Sequence, residues 1–302
     1  MIRRGLAAGA EDRARGALLG LAVGDALGAA LEWLSPDQIT ARYGGVLRDM
    51  VSSHLWQRGE WTDDTAMALA LAESLDERGG YDVDDVFARY ALWARSGPAD
   101  IGTTVARALR HARSAAEATA AAAAYHEESG GRTAGNGSLM RTAPIGVRFV
   151  RDREALRAAA LADSALTHHD QLAADACIWL DQTIAWLVGG RGKLEQAGPA
   201  ATAAAEARGA SPEQLLAEAQ GAIGFVLTAL RIGVYAAFAF DDFEQAVVFA
   251  ANLGGDADTN AAVTGALAGA RFGATAIPER WLQPLWQRER IGELAGRLLA
   301  AG

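Results

Sequence analysis

Two short acidic runs hold the most concentrated oxygen chemistry of this sequence: WTDDT at Trp61–Thr65 and GGDADT at Gly254–Thr259. A further carboxylate, Glu32, ends the segment GDALGAALE. The first run offers Thr62, Asp63 and Asp64, the second Asp256, Asp258 and Thr259. Both stand just ahead of periodic apolar segments, where Thr and Asp are favoured because they satisfy the free amides of a helix start and suit its positive dipole end. Capping accounts for any one of these residues, but it needs only one side chain per helix, so the clustering is left over. Brought together, the carboxylates of Glu32, Asp63, Asp64, Asp256 and Asp258 would repel one another unless a cation neutralised them. Hard oxygen donors without a cysteine or histidine cluster suit Mg²⁺ or Mn²⁺ and disfavour structural zinc. Asp63 and Asp64 project in different directions, so each could serve a different ion, and two divalent cations are expected.

The elements that must position these groups read as helices. Of the 302 residues, 51% are hydrophobic and 22% charged, with heavy use of alanine, which predicts a soluble, all-α chain. Apolar periodicity predicts helices at about 12–31, 62–77, 83–95, 101–123, 138–149, 153–165, 170–188, 212–240, 242–252, 259–273 and 279–300. Two of them carry glycine every fourth residue: Gly16, Gly20, Gly24 and Gly28 in the first, Gly265, Gly269 and Gly273 near the end. Glycine inside a helix costs roughly 1 kcal/mol against alanine, and such a stripe lets a second backbone come close. The segment 195–212 lacks large apolar residues and reads as a mobile insertion. Chemically distinctive residues lie on both sides of it, so residues 1–302 are expected to form one domain.

Charge and hydropathy exclude several classes. The net charge of −9 gives no general attraction to nucleic acid or to an anionic membrane. The most apolar stretch, 221–240, is interrupted by Arg231 and is too short on either side to span a bilayer. The amino-terminal stretch meets acidic residues before an adequate apolar run, which argues against a secretory signal. Cys177 is the sole cysteine and reads as a small buried side chain. A cytoplasmic location is expected, and the sequence carries no signal of oligomeric state.

The segments GALLGLAVGDALGAALEW, WTDDTAMALALAESL, GPADIGTT, GNGSLMRTAPIG, LTHHD and GGDADTNAAVTGALAGARFG, in this order, resemble the ADP-ribosylglycohydrolase family, of the dinitrogenase reductase activating glycohydrolase type. The match runs from about residue 12 to 275. The resemblance implies a single compact orthogonal bundle of helices with a pair of Mg²⁺ or Mn²⁺ ions in a cleft where ADP-ribose is removed from a modified acceptor. It implies Thr62, Asp63, Asp64, Asp256, Asp258 and Thr259 as metal ligands. Glu32 corresponds to the family's site glutamate, and Asp100 to a residue on the loop closing over the distal ribose, so both are candidate catalytic residues. Substrate contacts are implied for Gly102, Asn136, Gly137, Ser138, Leu139, Met140 and His168. Phe225 stands where a tyrosine often stacks on adenine in bacterial relatives, and core packing accounts for it equally well. Ser138 is expected to open a helix whose amides cradle phosphate. Asp25, inside the first helix, is expected to be a hydrogen-bonded structural residue rather than a support for metal ligands.

The expected partner is an ADP-ribosylated protein, most of all one modified on arginine, or a small ADP-ribose conjugate. Cleavage of another ADP-ribosyl linkage, such as one to serine, a nucleic-acid base or an acyl group, is the first alternative. Two-metal phosphoester or pyrophosphate hydrolysis, and a binding protein without catalysis, are the others.

Overall fold

The computed structural model describes residues 9–190 and 198–302. The helices are α1 (Ala10–Gly28), α2 (Pro36–Tyr43), α3 (Asp63–Arg78), α4 (Val83–Arg95), α5 (Thr103–Leu109), α6 (Ala115–Glu128), α7 (Ala143–Arg148) and α8 (Arg153–Ala165). They continue as α9 (Gln171–Gly189), α10 (Gly198–Ala207), α11 (Pro212–Gly221), α12 (Val226–Ala239), α13 (Phe243–Asn252), α14 (Ala257–Phe272), α15 (Glu279–Leu282) and α16 (Arg288–Ala301). Among the described residues the only β pairing is an isolated bridge between Gly135 and Phe225. The all-α class expected from composition is what the chain adopts.

Two helices form the centre. Every residue of α1 from Gly16 to Gly28 is buried, as is every residue of α14 from Ala257 to Ala270. A helix apolar on all sides has no solvent face to offer, so it sits inside. The glycine stripe of α1 explains how closely the two approach. A Cβ built on Gly16, Gly20, Gly24 or Gly28 would lie 2.2, 2.2, 2.0 or 2.4 Å from the backbone oxygen of Gly269, Gly265, Ala261 or Ala257 respectively. Those pairings fix α1 and α14 as antiparallel neighbours, and they bring the end of α1, with Glu32 just beyond it, against the start of α14. Gly273 stands outside the stripe: its φ of 87° ends α14, where only glycine is at ease.

A buried carboxylate ties the third acidic element to this pair. Asp25, on α1, accepts hydrogen bonds from Thr62 N (2.9 Å), Thr65 N (3.0 Å) and Thr65 Oγ1 (2.6 Å). It therefore caps α3 from another helix, while the side chain of Thr62 makes no cap of its own. Asp25 is hydrogen-bonded as expected, but its partners set the start of the Thr62–Asp64 run, so it supports candidate ligands as well as the fold.

Several helix boundaries differ from the periodicity. The segment 101–123 is two helices, because Ser114 caps a fresh start by accepting from Glu117 N. The segment 212–240 breaks between α11 and α12, where Gly224 takes a φ of 76°. The segment 279–300 breaks after α15, and Gln287 enters α16 with a φ of 58°. Part of the stretch read as a mobile insertion, 195–212, lies outside the described residues; its remainder contains α10, whose Ala204 and Ala207 are buried. No described helix is long and apolar enough to cross a membrane.

Candidate active site at the helix termini

The starts of α3, α5 and α14, the end of α1 and the turn 135–140 converge on a cleft of about 330 Å³. Of the residues singled out in the sequence, Glu32, Asp63, Asp100, Gly102, Asn136, Gly137, Met140, His168, Asp256, Asp258 and Thr259 line it. Thr62 and Asp64 stand behind that lining and are 2% and 1% exposed. Asp64 Oδ2 lies 3.2 Å from Thr62 Oγ1 and 3.4 Å from Thr259 Oγ1, so the two acidic runs, 195 residues apart in the chain, meet there.

Three expectations change. Ser138 does not open a helix: it lies in the turn ahead of α7, which begins only at Ala143 with Pro144 in its first turn. Its hydroxyl is buried, accepting from Ser164 Oγ at 3.0 Å and contacting Cys177 Sγ at 3.5 Å, away from the cleft lining. Leu139 is a fully buried core residue. Phe225 is half-buried against the core and outside the lining, and its segment holds the site by backbone: Asn136 N donates to Gly224 O at 3.0 Å, and Val226 N to Ala134 O at 3.0 Å.

Trp33 and Ile223 also line the cleft, though neither stands among the site residues expected from the sequence. Trp33 is 68% exposed and holds a φ of 65°, with its N–H donated to Gly255 O at 2.7 Å. A positive φ at a bulky residue costs of order 1–3 kcal/mol and concentrates at functional sites. Its adjacency to Glu32 was the only available pointer.

The electrostatics of the cleft are one-sided. Burial, then Asp100, Asp256, Asp63 and Asp25, push the Glu32 carboxyl up to about 8. Burial, then Asp100, Asp25 and Asp256, push Asp63 up to about 8 against a hydrogen bond from the Gly102 amide. Asp64 and Asp258 are held well above the ordinary carboxylate range, by burial first and neighbouring carboxylates second. Asp100 is raised by burial and by Asp256. Asp256 is raised by burial, although Asn136 Nδ2 donates to its Oδ2 at 2.6 Å. No lysine or arginine lines the cleft among the described residues.

This donor set suits a hard cation. One oxygen each of Glu32, Asp100 and Asp258 lie within 4.8 Å of one another. Asp64 Oδ1 is buried without a hydrogen-bond partner among the described residues. A buried carboxylate oxygen is costly unless something satisfies it, and no described protein group does so here. Neither capping alternative survives for Thr62 or Asp256, whose side chains make no cap hydrogen bond.

Known proteins resemble this chain along nearly its whole length. The family model described as ADP-ribosylglycohydrolase matches residues 6–302. An ADP-ribosyl-[dinitrogen reductase] glycohydrolase of Rhodospirillum rubrum is 36% identical over 91% of this chain and 90% of its own length. An ADP-ribosylarginine hydrolase of Serratia proteamaculans is 33% identical over 95% of this chain and 79% of its own. A solved structure titled as an ADP-ribosylglycohydrolase-related protein complex superposes with a TM-score of 0.75 at 36% identity, covering 97% of this chain and 98% of that one. Helical architecture, a carboxylate-lined cleft at the junction of α1, α3 and α14, and a match along nearly the whole length agree: the chain belongs to the ADP-ribosylglycohydrolase family.

Proposed function

We propose that this protein is a metal-dependent hydrolase that releases ADP-ribose from ADP-ribosylated arginine on a protein. The observation that carries the proposal is the meeting of two distant acidic runs at Asp64, whose Oδ1 is buried and unsatisfied beside Asp63, Asp256 and Asp258. The relatives from Rhodospirillum rubrum and Serratia proteamaculans, named for dinitrogen reductase and for ADP-ribosylarginine, support the substrate class. Thr62, Asp63, Asp64, Asp256, Asp258 and Thr259 would hold a pair of Mg²⁺ or Mn²⁺ ions. Bound there, such ions supply Lewis acidity toward ribose hydroxyls and water at the anomeric carbon.

The chain's own groups divide the remaining work. Glu32, half-buried at the cleft, orients a water and takes a proton from it as the water oxygen bonds to C1 of the distal ribose. The bond from C1 to the guanidine nitrogen breaks, and its electron pair goes to an acceptor that is already a cation. The departing arginine then takes up the proton held by Glu32, so a separate acid is not required. Asp100 faces Glu32 across the cleft mouth from the loop before α5, and we assign it to holding the distal ribose hydroxyls. Asn136, Gly137 and Met140 of the turn, with Gly102, form the wall against which the rest of the ligand lies. Since the site draws on residues from 32 to 259, a single domain is the arrangement it supports.

The test is turnover of an ADP-ribosylarginine peptide with Mg²⁺, with Mn²⁺ and with EDTA, beside an ADP-ribosylserine peptide and free ADP-ribose. Release of intact ADP-ribose from the arginine peptide, lost in EDTA and in Glu32→Gln, is expected. Release of AMP would replace this reading with pyrophosphate hydrolysis. Full activity of Glu32→Gln would remove Glu32 from the role assigned here.

A further inference from the structure

His168 lines the cleft while only 2% exposed, and its two ring nitrogens meet different surroundings. Nδ1 lies 2.9 Å from Thr167 Oγ1. Nε2 faces the glycine turn at the cleft wall: a Cβ added at Gly135 or Gly137 would come within 3.2 or 3.4 Å of it. Nε2 makes no hydrogen bond to a protein group among the described residues.

Thr167 is fully buried, and its hydroxyl is engaged on its other side. Arg141 Nη1 donates to Thr167 Oγ1 at 3.0 Å, and a guanidinium can only donate. The hydroxyl proton therefore needs an acceptor, and Nδ1 is the one within reach. Were the ring proton on Nδ1, Thr167 would accept twice and its own buried proton would be left without a partner, which costs the full desolvation of that group. Arg141 has no freedom to reverse this. Its Nε donates to Asp163 Oδ2 at 2.9 Å, Nη2 to Asp163 O at 2.8 Å and Nη1 also to Gly137 O at 3.2 Å. Tyr90 lies under the guanidinium at 4.6 Å and donates its hydroxyl to Asp163 Oδ1 at 2.9 Å.

We infer that Arg141 and Thr167 fix the tautomer of His168, so that Nε2 carries the proton and presents a hydrogen-bond donor to an oxygen of the bound ligand. Burial and the neighbouring Arg141 charge push the imidazole down to about 3, which keeps the ring uncharged at neutral pH and leaves it a single proton to place. The atom that His168 takes from a ligand is an acceptor, an oxygen of a diphosphate or of a sugar. Arg141 and Thr167 are positioning residues, since neither lines the cleft. Through Gly137 O the same guanidinium also holds the turn that His168 faces, so donor and wall are set by one side chain.

The experiment is histidine-selective ¹⁵N NMR of the full protein at neutral pH, with the His168 signals assigned by their loss in His168→Gln. The free protein should show His168 as the Nε2–H tautomer. Thr167→Ser should keep that pattern, and Thr167→Val, which removes the hydroxyl at nearly constant volume, should give a tautomer mixture. An Nδ1–H tautomer or an imidazolium in the wild-type protein overturns the inference, and so does a Thr167→Val pattern identical to wild type. Titrating ADP and then ADP-ribose separates the two oxygen sources: a shift of the Nε2–H with ADP assigns a diphosphate oxygen, and one seen only with ADP-ribose assigns the distal ribose. No shift at saturating ADP-ribose refutes the donor role. The ligand arm rests on the proposed glycohydrolase reading, and failure of ADP-ribose to bind by calorimetry would fall on that reading, whereas the tautomer arm uses the protein alone.

Discussion

Replacing Gly24 with alanine is the sharpest test of how the two central helices hold the site. The new Cβ would lie 2.0 Å from Ala261 O, 2.4 Å from Ala261 C and 2.9 Å from Ala262 N, all backbone atoms. A carbon and a carbonyl oxygen approach to about 3.3 Å, so α14 must retreat by roughly 1 Å along a face buried from end to end. A gap of that size forfeits about a quarter to a half of the dispersion along the contact, and inserting a methyl into a filled interior costs about 1–3 kcal/mol, here at the upper end because backbone cannot rotate away. Against this, alanine gains roughly 1 kcal/mol of helix propensity over glycine. The net expectation is a loss of at least about 2 kcal/mol, read by urea unfolding. For a chain of this length it corresponds to a fall in Tm of about 3 °C or more. The control is Gly221→Ala at the end of α11, where nothing lies within 4 Å of the added carbon, and stability should hold or rise by up to about 1 kcal/mol. Shrinking the facing side chain with Ala261→Gly should not rescue Gly24→Ala, because the obstruction is backbone oxygen. Equal stability of Gly24→Ala and wild type, or rescue by Ala261→Gly, would refute the close-packing argument.

Asp64→Asn should abolish the rise in Tm produced by Mg²⁺ or Mn²⁺ and lower turnover by about 100-fold or more, with the helical circular dichroism unchanged; retention of the metal response would show that the unsatisfied oxygen is not a ligand. Glu32 and Asp63 have carboxyls raised from 4.5 and 3.8 to about 8, so their contribution to stability is complete below pH 4 and is lost as pH rises toward 8. In EDTA the Tm should therefore decline from pH 5 to pH 8, less steeply in Asp63→Asn, and the increment given by added Mg²⁺ should grow over the same range; an equal slope in the variant would contradict this. Asp163→Ala leaves Arg141 buried without its counter-ion and should cost about 3–5 kcal/mol by urea unfolding, a change below about 1 kcal/mol being incompatible with the ion pair described.

The parts of the site legible in the sequence were those written in rare residue types. Aspartates in runs stand out against alanine-rich helices, and the glycine stripes pointed to close helix packing, whose partners the structure shows to be α1 and α14. What escaped was written in backbone. The helix α2 announces itself with Ser35, Pro36 and Gln38, which form a capping box, yet it buries only Ile39 and so shows no apolar period. Ser138 looked like a helix start because Ser is a common cap, but its hydroxyl is taken by Ser164 and the interior. Trp33 is placed by its left-handed backbone, which a bulky side chain does not advertise. Asp25 was legible as hydrogen-bonded; that its partners would be the amides of α3 was not, since two helices had to be oriented first.

The seating of α1 against α14 also bears on how the protein is made. From Gly16 onward α1 has no hydrophilic side, and the surface that covers it lies more than two hundred residues downstream, at Ala257–Ala270. At translation speeds of roughly 5–20 residues per second it waits on the order of ten to fifty seconds for its partner. During that interval the nascent chain carries an apolar helix without its main cover, the kind of transient exposure that favours aggregation.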